Sequence, residues 1–292
     1  MDAALAASYE ECKRLNSLHG KTYYLATLLL PKSKRPYVHA LYGFARYADE
    51  IVDDLASTLS PAEKAEALRS WSSGVLADLK AGTSTDHIGR ALVDTARKFD
   101  IPHQHFVDFL HSMEMDLTIT QYQTYEDLLE YVYGSAAVIG LEMVPILGFS
   151  DQRAYEAAKK LGIAFQLANF IRDVAEDLDR GRVYLPLQEL AQFGVDRAML
   201  ERRILTPEII AALKFQIARV RQLQREADIG IAYLDKVSRP CIRAASELYC
   251  GIVDEVEAIG YDIFNKRAKT STARRARVAG AAYIQAIAAR IG

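Results

Sequence analysis

The sequence predicts an all-α protein, a single domain over residues 1–292 whose long helices pack around a central cavity. Three observations lead there. Nearly every segment spaces its apolar residues three and four apart, the period of a helix that buries one face. Strand-type alternation is scarce, and no Asn-Gly or Asp-Gly pair signals a hairpin. The turn-forming residues fall where helix ends need them. Hydrophobic residues make up 50% of the 292, enough apolar material for a large core.

Taken from the N-terminus, the first helix with a marked polar stripe runs from Ala40 to Asp54. Ser60-Pro61-Ala62-Glu63 then opens another helix with a capping box and proline at the first helical position. Thr124-Tyr125-Glu126-Asp127 is a looser version of the same signal. The stretch from Val132 to Phe149 is the most apolar, but Glu142 and Pro145 interrupt it, so no membrane span is expected. Within it, Gly134-Ser135-Ala136-Ala137-Val138-Ile139-Gly140 is built of small residues. They serve either close helix packing or a space for a long apolar ligand. Gly148-Phe149-Ser150-Asp151 ends that helix and opens the next. Arg180-Gly181-Arg182 ends the second acidic helix, Tyr184-Leu185-Pro186 leads out of it, and Thr206-Pro207-Glu208 repeats the cap-then-proline pattern.

The chemistry sits in two acidic stripes. At 3.6 residues per turn, Tyr42, Arg46, Asp49 and Asp53 fall within an arc of roughly 60°. Gln166, Asn169, Asp173, Glu176 and Asp177 share a second arc, with Arg172 on its flank. Carboxylates set among Ile51, Val52, Leu167, Phe170 and Ile171 are costly unless something positive lies between them. Hard divalent cations with oxygen ligands fit that need. Mg²⁺ usually takes one or two carboxylates together with substrate phosphate oxygens. Asn169 adds a neutral oxygen that a merely solvated face does not require. Arg46 and Arg172 either balance the neighbouring acids or clamp a diphosphate through their planar forks.

Composition excludes other classes. The net charge of −2 gives no field for nucleic acid. The three cysteines lack metal-type spacing, which points to a reducing, cytoplasmic setting without a disulfide framework. The N-terminus lacks signal-peptide design, and no zinc motif surrounds the histidines. His39 and His111 read as core or surface residues, and Tyr249 as a buried tyrosine whose function spacing alone does not reveal. The basic run from Lys266 to Arg277 is either a solvated helix end or a peripheral contact with anionic lipid headgroups.

With these residues in view, the chain resembles the squalene/phytoene synthase family, the head-to-head prenyltransferases. The second stripe followed by Asp179-Arg180-Gly181-Arg182-Val183-Tyr184-Leu185-Pro186 matches that family's signature, and Ala40 through Asp54 matches its first motif. His19-Gly20-Lys21-Thr22-Tyr23, the Tyr131-to-Gly140 segment and Tyr249 through Arg267 extend the likeness over nearly the whole chain. The wording is most similar to that of bacterial phytoene synthases. Ala268-Lys269-Thr270-Ser271 departs from the usual pattern.

The resemblance implies the isoprenoid synthase fold and a Mg²⁺-dependent (or Mn²⁺-dependent) condensation of two prenyl diphosphates through a cyclopropyl diphosphate. It implies Asp49, Asp53, Asn169, Asp173 and Asp177 as metal ligands. It implies His19, Lys21, Thr22, Tyr42, Arg46, Gln166, Asn169, Arg172, Tyr249 and Arg267 as substrate-binding residues. Catalytic roles fall to Asp49, Asp53, Arg46, Arg172, Asp173 and Tyr249. No NADPH is expected, since no G-x-G-x-x-G motif is present. Geranylgeranyl diphosphate is the expected substrate, because Ala26 and Thr27 are small and are placed near the cavity. A C30 enzyme using farnesyl diphosphate is the alternative within the class, and a non-catalytic prenyl-lipid binding subunit the alternative outside it. A terpene cyclase matches the Asp49/Asn169 motif pair poorly. The sequence leaves the oligomeric state open.

Overall fold

A computed structural model describes residues 2–53 and 59–291, which form sixteen α-helices, one π turn and one 3₁₀ turn. No strand occurs among the described residues; two isolated bridges, Gln121 to Val183 and Phe149 to Leu234, tie loops together. Helix α1 (Ala3–His19) leads into the short α2 (Lys21–Thr27), and α3 (Arg35–Asp53) carries the first acidic stripe. Helices α4 (Pro61–Ala81), α5 (His87–Lys98) and α6 (His103–Met115) follow. Next, α7 (Tyr125–Val132), the π turn (Tyr133–Ala137) and α8 (Val138–Leu147) run end to end. Helices α9 (Arg153–Arg172) and α10 (Val174–Asp179) carry the second stripe. Short helices α11 (Leu187–Ala191) and α12 (Arg197–Glu201) precede α13 (Pro207–Gly230), which tightens into the 3₁₀ turn (Ile231–Tyr233). Helices α14 (Arg239–Cys250), α15 (Ile252–Ala258) and α16 (Thr272–Ile291) come last.

The helix starts follow the capping chemistry. Ser60 Oγ accepts from the Glu63 amide at 3.3 Å while the Glu63 carboxylate accepts from the Ser60 amide at 2.8 Å. Thr124 and Asp127 make the same reciprocal pair, and Thr206 Oγ1 caps α13. Each such cap is worth about 1 kcal/mol, because it satisfies amides that the first turn leaves without a partner.

Two apolar clusters organise the packing. One gathers Phe44, Leu92, Phe106 and Phe109 from α3, α5 and α6, with the Phe44 and Phe106 rings edge to face at 5.4 Å. The other gathers Leu167, Ile171, Leu213 and Ile217 from α9 and α13. Helix α9 is the axis of the second half, flanked by α8, α13, α14 and α15. Its approach to the π turn depends on Gly162: a Cβ there would lie 2.6 Å from the Ala136 carbonyl oxygen. Small residues in this region therefore do allow close packing, one of the two readings left open by the sequence.

The apolar stretch needs a correction. Helix α8 continues through Pro145 to Leu147. The length Tyr125–Leu147, which holds an 18-residue window of mean hydropathy 1.2, is long and apolar enough to cross a membrane by composition. In the fold it packs against α6 and α9 instead. Glu142 is fully buried in it, and neither carboxylate oxygen has a hydrogen-bond partner. Burial holds that carboxyl well above the usual range and disfavours its charged form. Glu142→Met is therefore expected to stabilise the protein by about 1–3 kcal/mol. A raised folded pKa means that wild-type stability falls as pH rises above the ordinary glutamate value. The melting-temperature advantage of the variant should accordingly be larger at pH 8 than at pH 5. An equal advantage at both would refute the assignment.

Candidate active site

The first stripe lies where α3 leaves the core. Arg46 Nη1 donates to Asp49 at 2.8 Å, and its Nε lies 4.0 Å from Glu50. In this state Arg46 thus balances its own helix's acids. Tyr42, one turn earlier, is half-buried and stacks on Tyr23 of α2 with centroids 5.7 Å apart. Gly20 makes this possible: a Cβ there would lie 2.6 Å from the Tyr42 ring. The segment His19 to Thr22 is thereby held beside α3, with His19 and Lys21 exposed and Thr22 half-buried. The side chain of Asp53 and all of Asp54 lie outside the described residues.

The second stripe is not one continuous helix, as its pattern suggests. α9 ends at Arg172, Asp173 has φ −100° and ψ 14°, and α10 restarts at Val174. Hydrogen bonds bridge the break, from the Asp173 amide to Asn169 and from the Asp177 amide to Asp173, both at 2.8 Å. Asp173 is gripped by two guanidiniums. Arg172 Nε donates at 2.7 Å, and Arg267 Nη2 donates at 3.0 Å across a separation of 94 residues. Arg267 also pairs with Glu176 at 2.9 Å. The backbone turn at Asp173 lets one carboxylate face both cations.

Asp177 is buried, and burial together with the charge of Asp173 pushes its carboxyl up to about 7. Asn169 Oδ1 is buried with no hydrogen-bond partner, and Gln166 is half-buried on the same helix. An orphaned amide oxygen and a desolvated carboxylate on successive helices are donors that a hard cation would satisfy. No group of three or more His, Cys, Asp or Glu among the described residues is gathered as a preformed metal site. Asp49 is held by Arg46, and Asp173 by Arg172 and Arg267.

A set of residues behind Asp177 escaped the sequence reading. Tyr131 and Tyr184 both donate to the Asp116 carboxylate, at 2.6 and 2.7 Å, and Arg182 Nη2 donates to the Asp116 carbonyl at 2.8 Å. Tyr184 stacks on Phe170 at 4.1 Å. Tyr131 and Tyr184 lie inside the quoted motifs. Asp116 has no periodic or motif signal, because its partners lie 15 and 68 residues away.

Below the acids is a cavity of about 250 Å³. The π turn, α8, α9, α13 and α14 supply its walls, with Ile139, Met143, Leu147, Phe165 and Tyr23 among the apolar lining. Asn169 and Tyr249 lie at one end of this lining and Ala154 at the other. On a rise of about 1.5 Å per residue, Ala154 is roughly 22 Å along α9 from Asn169. Tyr249 stacks on Phe165 at 4.8 Å; burial pushes its hydroxyl up to about 12, and Tyr42 and Arg172 are close enough to act on it in opposite directions. Tyr249 therefore packs on α9 at the end of the cavity that Asn169 also lines. Ser135, Ala136 and Gly140 line the space, so the small-residue segment serves both close packing and the cavity. Thr27 and Ala26 do not line it. Both are buried, and Thr27 Oγ1 donates to the Tyr23 carbonyl of its own helix; it is Tyr23 that faces the cavity.

Paired acidic segments over a long apolar cavity agree with what comparison with known proteins finds. The family model for squalene/phytoene synthase matches residues 17–274. The chain belongs to the squalene/phytoene synthase family. A 15-cis-phytoene synthase of Synechococcus elongatus is 36% identical over 285 residues, covering 94% of this chain and 91% of that protein. The chloroplastic phytoene synthase 2 of Zea mays is 38% identical over 292 residues, covering 98% and 71%. Among solved structures, a dehydrosqualene synthase with bound ligand superposes with a TM-score of 0.87 at 27% identity, covering 97% of this chain and 98% of that one. A squalene synthase of Alicyclobacillus acidocaldarius shares the fold, with a TM-score of 0.81 at 24% identity over 89% of this chain and 97% of that one. The isoprenoid synthase fold expected from the sequence is the fold observed.

Proposed function

We propose that this chain is a phytoene synthase, joining two geranylgeranyl diphosphates head to head and releasing two diphosphates. The observation that carries this is its identity of 36–38% to phytoene synthases over nearly its full length. The cavity extending the length of α9 supports a long prenyl chain. Residues 1–292 would act as one catalytic unit.

Asp49, Asp53, Asn169, Asp173 and Asp177 would hold Mg²⁺; the orphaned Asn169 oxygen and the desolvated Asp177 fit that role. When bound, Mg²⁺ supplies positive charge against the departing diphosphate. The arginines do the rest of that work. Arg46, Arg172 and Arg267, now paired with acids, would turn to the diphosphates, joined by His19, Lys21, Thr22, Tyr42, Gln166 and Tyr249. As the first allylic C–O bond breaks, these donors stabilise the leaving group. The allylic carbon bonds to the double bond of the second molecule, and loss of a proton closes the cyclopropane. The second diphosphate then departs, the carbon skeleton rearranges, and a further proton leaves to form the central double bond. Ile139, Met143 and Phe165 keep water from the cation.

A C30 reading is favoured by one observation, the close superposition on a dehydrosqualene synthase. Product analysis separates the two. The purified protein would be fed geranylgeranyl or farnesyl diphosphate with Mg²⁺ and without NADPH. A C40 hydrocarbon formed with the higher kcat/KM is expected. A preference for farnesyl diphosphate would move the chain to the C30 class, and binding without diphosphate release would make it a prenyl-lipid binding subunit. Excess EDTA should abolish turnover; full activity in EDTA, or a strict need for NADPH, would refute the scheme.

A further inference from the structure

The outer face formed by α2 and α16 has an unusual arrangement. Helix α16 turns its smaller residues inward. Val278, Ala282 and Ala286 are buried on the face toward α14, whereas Ile284 is 70% and Ile291 82% exposed, with Tyr283 and Ile287 beside them. A helix packed on a core normally does the reverse. Leu25, 57% exposed, and Leu28 point outward from α2 and its cap. The two segments meet, because Arg290 Nη2 donates to the Leu29 carbonyl at 2.7 Å.

Charge singles out the same place. Residues 12–48 and 263–292 contain no Asp or Glu at all, although the whole chain has 38. Part of this positive charge is used internally. Arg274 pairs with Asp254 and Glu255, Arg277 with Glu247, Lys266 with Asp262, and Arg267 with Asp173. The basic run from Lys266 to Arg277 is therefore mostly tied to the protein's own acids. Arg35 and Arg290 are different. Arg35 donates to the carbonyls of Leu28 and Leu30, Arg290 to that of Leu29, and among the described residues no carboxylate pairs with either. Burial and, after it, the nearby charge of Arg290 both lower the affinity of the Arg35 guanidinium for its proton. Two arginines with no carboxylate partner among the described residues, beside six exposed large apolar side chains, form a cationic, apolar surface.

We propose that this α2–α16 face docks on an anionic lipid bilayer, the isoleucines and leucines entering the interface and Arg35 and Arg290 meeting lipid phosphates. Apolar burial and headgroup attraction together give reversible interfacial binding. A second copy of the chain fits the face less well, since a self-complementary contact would bring the arginine pairs of both copies together. The face is also the outside of the cavity wall: Tyr23 of α2, and Ile242 and Ala245 of α14 beneath α16, line the cavity. The proposal holds whichever prenyl diphosphate is used.

The test is flotation of the full chain with phosphatidylcholine vesicles, with and without phosphatidylglycerol. Wild type should float with the anionic vesicles and be released by salt. The double variant I284Q/I291Q should bind at least about tenfold more weakly, and R290Q should lose the preference for anionic vesicles. Both should keep turnover on detergent-dispersed substrate, which shows that they are folded. I204Q, changing an exposed isoleucine in the loop before α13, should bind like wild type. Equal binding to both vesicle types, no binding, or undiminished binding by I284Q/I291Q overturns the proposal. So does a dimer that I284Q/I291Q converts to a monomer without affecting flotation, which would assign the face to a second copy.

Discussion

Replacing Asp177 by Asn is expected to lower turnover at least about a hundredfold, since one lost metal ligand removes several kcal/mol of leaving-group stabilisation. The metal-free protein should nevertheless be at least as stable as wild type. Asp177 is buried beside Asp173, and both burial and that neighbouring charge disfavour its ionised form. An amide of nearly the same shape removes that cost, on the order of 1–3 kcal/mol. The sign with pH follows from a folded pKa of about 7 against 3.8 for an ordinary aspartate. The wild-type cost is absent below the lower value and grows as pH rises through the upper one. In EDTA the melting-temperature gain of the variant should therefore be larger at pH 8 than at pH 4. Near-native turnover at low Mg²⁺ would show that Asp177 is a buried structural acid. Asp49→Asn should lose comparable activity with a stability change of at most about 1 kcal/mol, because its pair with Arg46 is a partly exposed i, i+3 contact.

Filling the far end of the cavity should shift the preferred chain length. Ala154 lies on the first turn of α9 and lines the cavity at the end away from Asn169. Ala154→Phe would put a ring where the tail of a C20 chain must reach and a C15 chain need not. Overfilling a packed site costs about 1–3 kcal/mol. Borne mainly by the longer substrate, that penalty should lower the ratio of C40 to C30 product roughly tenfold or more. Paired kinetics with geranylgeranyl and farnesyl diphosphates measure it, with the melting temperature as a check on folding. An unchanged ratio would mean that the prenyl tail does not run along α9. Thr27→Phe, the substitution that sequence alone suggests, should instead damage the packing of α2, since Thr27 is buried and is not part of this cavity's lining.

The contrast between Thr27 and Ala154 shows what periodicity resolves. Thr27 stands in a motif-bearing stretch and is small, yet its hydroxyl closes on its own helix and the neighbouring Tyr23 takes the cavity wall. Ala154 carries no signal, because alanine near a helix start is compatible with any environment. The same limit hid Asp116, whose two tyrosine partners come from distant helices. It also hid Arg35 and Arg290, which are ordinary basic residues until the fold leaves them beside exposed leucine and isoleucine without a carboxylate.

The sequence by itself determined the all-α class, the caps at Ser60, Thr124 and Thr206, the two acidic stripes and the family. All of these rest on interactions within a turn or two of helix, or on residue order, which are written along the chain. Only the tertiary structure decided that the second stripe breaks at Asp173, so that Arg172 and Arg267 can grip one carboxylate. It alone decided that Tyr249 stacks on Phe165 of α9, that the small residues after Gly134 both pack and line a cavity, and that most of the basic run is neutralised from within. The reason is physical: burial, charge pairing and desolvation depend on which helices meet, and helical periodicity fixes the face a residue occupies but not the partner that face receives.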